Sequence, residues 1–144
     1  MDARVINDKL ASLKRCVDRL ETWQPASLDD LRSNIDQQDI LTLNLSRAVQ
    51  LCVDIATHIS TESAAGRPAT MSEAFDRIAE LGAIDENISS NMRSAVGFRN
   101  IAVHTYRRIS WEIVYRVALD GPGQFRDFAR QIREFLNRKA NAEG

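Results

Sequence analysis

The chain has 144 residues, 44% of them hydrophobic and 27% charged, which is enough for one domain with its own core and too little for two. Six glycines and three prolines supply too few turns for a β-rich fold, and no apolar run approaches the roughly 18 residues of a membrane span. The start, "MDARVINDKL", lacks the apolar segment of a signal peptide, and Cys16 and Cys52 stand far apart with no CxxC pattern; buried free thiols in a cytoplasmic protein are expected.

The net charge of −1 does not favour nucleic acid, but its distribution is uneven. Between Arg93 and Arg116 there are five arginines against one acid, Glu112, a net +4 that leaves −5 for the rest. Such a zone fits a local anionic partner such as a phosphate backbone, and equally a solvated arginine-rich helix face.

The spacing predicts a first helix from about Asp2 to Glu21, with Ile6, Leu10, Leu13, Val17 and Leu20 on one stripe. Pro25 breaks it, and Ser27 caps a second helix that carries Asp29 and Asp30 in its first turn. That helix is expected to run to about Thr61 with a bend near Asp39. Leu41, Leu45, Ala48, Cys52, Ile55 and Ile59 form one stripe, and further apolar residues on other faces predict a central, buried helix. "SAAGRPAT" reads as a loop. Thr70 with Glu73 forms a capping box for a helix from Met71 to Leu81, and Gly82 fits its C′ position.

Asp85 opens a fourth helix. Ser110 caps a fifth, "WEIVYRVAL", and "DGPGQ" is expected to interrupt before a last helix with Phe125, Phe128, Ile132 and Phe135 on one stripe. Residues 139–144 are expected to fray. The reading is an all-α bundle of about five to six helices in a single domain, residues 1–144.

The fourth helix carries the run that bears on function, "FRNIAVHTYRR", Phe98 to Arg108. Ile88, Met92, Ala95, Arg99, Ala102 and Tyr106 are spaced as one stripe, so Arg99 stands where the pattern calls for an apolar residue. A charge there needs a partner, for which Asp54 is a candidate, or a wet cleft. Asn100 and His104 are four apart and share a neighbouring face, toward which Arg93 and Arg107 also project. Taken singly, Arg99 reads as a paired structural arginine, His104 as a satisfied helix-end histidine and Tyr106 as a core aromatic. The four together, flanked by arginines, point to chemistry instead.

The run holds no carboxylate cluster for two metals, and the chain has no P-loop, no GxGxxG and no CxxC. A histidine exchanges protons near neutrality, and an arginine holds phosphate and offsets charge developing on it. That pair suffices for metal-free RNA cleavage, in which the ribose 2′-hydroxyl attacks its own phosphate.

"RNIAVHTY", Arg99 to Tyr106, resembles the RX4HXY motif of HepT-type toxins of the HEPN superfamily, and Asn100 fits the wider pattern. "LNLSRAVQLCVDIATHIS", with Asp54 and His58 four apart, resembles that family's central helix, and "SEAFDRIAELGAI" and "NMRSAVGFRN" follow in the family's order. The resemblance covers most of the chain and implies a HEPN-type bundle acting as a homodimer, with two motifs facing one cleft. It implies a ribonuclease toxin of a type VII-like toxin–antitoxin pair. Its implied partner is an MntA-like minimal nucleotidyltransferase antitoxin that silences the toxin by moving AMP from ATP onto Tyr106.

By that carry-over Arg99 binds the scissile phosphate, His104 transfers protons, and Asn100 orients one or the other. Arg93, Arg107 and Arg108 hold RNA or the added nucleotide, Asp54 and His58 support the packing, and no cofactor or metal is called for. Added AMP would bring negative charge and bulk beside Arg99 and His104. A non-catalytic HEPN module that binds or presents substrate to a nucleotidyltransferase is the alternative expectation.

Overall fold

A computed structural model of the chain describes residues 2–104 and 109–143. Its helices are α1 (Ala3–Thr22), α2 (Leu28–Ser33), α3 (Ile35–Thr61), α4 (Met71–Glu80), α5 (Glu86–His104) and α6 (Trp111–Glu143). The capping residues read from sequence act as expected. Asp2 accepts from Arg4 N, Ser27 from Asp30 N, Thr70 from Glu73 N and Asp85 from Ile88 N, each meeting a helix-start amide that has no partner within its helix. Glu73 reaches back to the amide of Ala69 at 2.8 Å and so completes the box one residue early. Gly82 ends α4 at φ +81, a backbone angle open to glycine at no steric cost.

The 27 residues of α3 make a rod about 40 Å long that touches every other helix. Its stripe of Leu41, Leu45, Ala48, Cys52, Ile55 and Ile59 is fully buried, and Val49, Val53 and Ala56 bury the adjoining face. Cutting one of these large side chains to alanine should cost about 2–5 kcal/mol, because so central a site has little room to collapse. Burial raises the pKa of both thiols, Cys52 well above its ordinary value, so they are packing residues.

Three boundaries differ from the expectation. The break in the second helix falls at Asn34, not near Asp39: Asn34 leaves the helical region at ψ 97, and its side chain caps α3 by accepting from Gln37 N. Residues 139–143 are not set apart from the helix before them, since α6 continues through Glu143. Nor does "DGPGQ" interrupt: α6 is one helix of 33 residues with Pro122 inside it. Pro122 has no N–H to give the carbonyl of Ala118, and the Gln24 side chain donates to that carbonyl instead, at 3.2 Å. Gly121, buried against Phe125 and Leu45, lets α3 approach at the same level. A contact from a distant part of the chain thus mends what looks locally like a breaker.

Candidate functional site

The first half of α5 is fixed by side chains. At its start, Asp85 and Gln131 of α6 exchange two hydrogen bonds of 2.8 Å, one through the Asp85 amide and one through its carboxylate. Two turns on, Arg93 reaches Asp76 of α4 at 2.8 Å and Glu86 at 3.4 Å. Ile88, Met92 and Val96 bury the face toward α3 and α4. This half is an anchored lever for the turns that follow.

In those turns the pattern of partners changes. Arg99 does stand on the buried stripe, between Val96 and Ala102, and is itself half-buried. Its Nη1 donates to Asn100 Oδ1 at 3.3 Å, while its buried Nε has no hydrogen-bond partner among the described residues. An unmet guanidinium donor out of water is costly, so this arginine is poised for an anion. His104 is exposed at the last position of α5. Five residues separate it from Arg99, which is about 140° around the helix. One copy of α5 therefore does not aim both groups at one point, whereas Asn100 and His104 do share a face, as the spacing predicts. Near them Ile101 and Val103 are 47% and 50% exposed, two uncovered apolar side chains on nearly opposite sides of this turn.

The other residues singled out from sequence lie as follows. Arg93 is paired with its two carboxylates and braces α4 to α5. Asp54 does not serve Arg99: it lies 3.7 Å from Lys9 and accepts from Gln50 at 2.9 Å, because its position on α3 looks toward α1. His58 closes the last turn of α3, with Nε2 3.3 Å from Glu62 Oε1. It sits thirteen residues past Leu45, about 20 Å along the helix from a residue that packs near Phe98. That is a packing position. Tyr106, Arg107 and Arg108 lie outside the described residues.

Sequence reading missed two concave features. A groove of about 630 Å³ between α1 and α3 carries Arg15, Arg19 and Arg47; the four-residue step from Arg15 to Arg19 was the available signal. A smaller cavity, about 210 Å³, opens between α5 and α6 beside Phe98, with Arg116 at its edge. Its polar residues come from two helices, so no single stretch announced it. Among the described residues no three His, Cys, Asp or Glu side chains gather as metal ligands, and no helix is long and apolar enough to cross a membrane.

Comparison with known proteins places this geometry in context. The family model described as Ribonuclease HepT-like matches residues 8–132. An mRNA nuclease HepT of Shewanella oneidensis is 32% identical over 129 residues, covering 90% of this chain and 96% of its own. A tRNA nuclease HepT of Aphanizomenon flos-aquae is 28% identical over 132 residues, covering 92% and 90%. The solved structure of a tri-AMPylated Shewanella oneidensis HEPN toxin in complex with an MNT antitoxin matches with a TM-score of 0.83 at 32% identity, over 90% of this chain and 97% of that one.

Proposed function

The chain belongs to the HepT-like ribonuclease family, and on that footing we propose that it is the ribonuclease toxin of a HEPN/MNT toxin–antitoxin pair, acting on RNA in the cytoplasm. The observation that carries this reading is Arg99: a guanidinium on the buried stripe of α5, its Nε without a hydrogen-bond partner among the described residues, just over one turn ahead of an exposed histidine.

The chemistry follows from these groups. RNA brings its own nucleophile, so the protein supplies charge stabilisation and proton transfer. Arg99 holds the scissile phosphate and offsets the negative charge that grows on its oxygens as the 2′-hydroxyl attacks. Asn100, in contact with Arg99 and on the face of His104, sets the register between the two. His104 transfers a proton during the exchange, in which a bond from the 2′-oxygen to phosphorus forms and the bond to the 5′-oxygen breaks. The products are a 2′,3′-cyclic phosphate and a 5′-hydroxyl.

The 140° between Arg99 and His104 fits a site shared by two copies of the chain, each completing the other's cleft. An exposed apolar side chain at this end of α5, Ile101 or Val103, is what such a pairing would cover. The homodimer is therefore part of the reading. So is the off-switch: a nucleotidyltransferase partner places AMP on Tyr106, two residues beyond His104, where its charge and bulk oppose an incoming phosphate. Arg107 and Arg108 serve RNA or that nucleotide.

The test is cleavage of cellular RNA in EDTA by protein whose intact mass excludes bound AMP, with end-group analysis and His104→Ala in parallel. The expected result is cleavage that leaves cyclic phosphate ends and falls about 10²–10⁴-fold in the variant. Equal cleavage by the variant would remove His104 from the mechanism. No cleavage by either would turn the reading to a binding module for the nucleotidyltransferase.

A further inference from the structure

The cavity between α5 and α6 has a composition that the cleavage chemistry does not use. Its apolar wall includes half-buried Phe98 and buried Phe125. Around it stand the carboxamides of Asn91 and Gln124, the Ser94 hydroxyl, the guanidinium of Arg116 and the carboxylate of Asp120. Asn91, Gln124 and Arg116 make no side-chain hydrogen bond or ion pair among the described residues. The volume of about 210 Å³ is below the 300–1,000 Å³ or so of drug-sized ligand sites, so it suits one flat ring system.

We propose that this cavity receives a nucleobase of the RNA substrate, next to the phosphate held by Arg99, and so sets where the chain is cut. The inference rests on the ribonuclease reading and names the specificity site of that same reaction. Sequence-specific recognition of RNA works on unstacked bases laid on aromatic rings and read along their edges. Phe98 supplies the ring. Asn91 and Gln124 each offer an NH2 donor and a carbonyl acceptor, which can match a base edge and would stay unmet against a hydrocarbon chain. Arg116 supplies a cation for the neighbouring phosphate. Phe98 immediately precedes Arg99 on the same helix, about 100° around it, which leaves the base and the phosphate of one nucleotide within reach of neighbouring side chains.

Gly121 makes the idea testable without breaking the fold. A Cβ there would sit 3.5 Å from Phe125, 3.7 Å from Leu45 and 3.7 Å from Val117, all ordinary contacts, and would occupy cavity space. Gly121→Ala should fold at least as well as the natural chain, because alanine restricts the unfolded chain more than glycine.

The experiment has two arms. In the first, cleavage sites on a mixed-sequence RNA are mapped by sequencing the ends made by the natural protein, Gly121→Ala and Asn91→Ala. The natural protein should cut beside a restricted set of bases; Asn91→Ala should broaden that set, and Gly121→Ala should slow cleavage about tenfold, the size of a lost base–aromatic stack. Unchanged base preference and rate in both variants would overturn the cavity's role while leaving the ribonuclease reading standing. In the second arm the four ribonucleoside monophosphates are titrated into each protein and followed by NMR, which reports on the cavity even if cleavage fails. Binding that is weaker in Gly121→Ala supports the inference, and the same binding in both proteins, or none in either, overturns it.

Discussion

Two arginines on α5, six residues apart, have opposite fates. Arg93 lies between Asp76 and Glu86, and its charge is answered on both sides. Arg99 has its Nε buried without a hydrogen-bond partner among the described residues, and its Nη1 lies 3.3 Å from the amide oxygen of its neighbour Asn100. One helix thus has a first half tied down by ion pairs and a second half where such pairs are lacking among the described residues. The proposed function puts the RNA site at that second half, and the predictions below aim to break that separation or sharpen it.

The largest effect should come from Arg99→Lys. Lysine keeps the charge but loses the planar fork that grips phosphate at two points, so RNA cleavage should fall about 100-fold while the melting temperature holds. A steady-state rate with full activity would mean that charge alone suffices, and the case for an anion-gripping second half would weaken.

Next in size is Gln24→Ala, which leaves the buried Ala118 carbonyl opposite Pro122 without a donor. Urea unfolding should show a loss of about 1–3 kcal/mol. Because Arg99, Asn100 and His104 are all carried by α5, cleavage by the folded fraction should stay normal. Cleavage lost well below the unfolding midpoint would show that the second half of α5 depends on α6 more than its own geometry implies.

A smaller effect is expected of Asp76→Asn, which removes one of the two carboxylates on Arg93. The pair is half-exposed, so stability should drop by no more than about 1 kcal/mol and cleavage should be unaffected. A gain in RNA affinity in a filter-binding titration would show that the freed Arg93 can reach RNA, the role its place in the motif region first implied.

The smallest is a slope. The hydrogen bonds from Arg77 hold the Glu73 carboxyl below its usual pKa, and the Ile88 amide does the same for Asp85. Both carboxylates bind a proton less readily folded than unfolded, so the stability they give is present at neutral pH and fades as pH falls below about 4. Denaturation between about pH 7 and pH 3 should show a shallower acid limb in Glu73→Gln and Asp85→Asn. An unaltered limb would mean that these caps anchor α4 and α5 less than their geometry implies.

Much of this molecule was legible in its sequence where the signal is local. Asp2, Ser27, Thr70 and Asp85 start helices because a cap needs only its own next turn. The α3 stripe from Leu41 to Ile59 is central because it is apolar on more than one face. Arg99 was visible as a charge in an apolar register. What escaped depends on distant contacts. Pro122 stays helical only because Gln24 comes from far away to serve Ala118, and nothing within "DGPGQ" tells of that. Asp54 looked available to Arg99 until the packing turned it toward Lys9, and Arg93 looked free until α4 brought Asp76. The cavity beside Phe98 needed α5 and α6 to meet before Asn91 and Gln124 faced one space.

The separation along α5 is tested most directly by measuring cleavage and thermal unfolding on the same preparations of Arg93→Ala and Arg99→Ala. The account predicts that Arg99→Ala loses cleavage about 10²–10³-fold and unfolds no earlier than the natural chain, while Arg93→Ala cuts RNA normally and unfolds slightly sooner. If Arg99→Ala keeps its activity, or if Arg93→Ala is the variant that loses it, the site is not at the second half of α5.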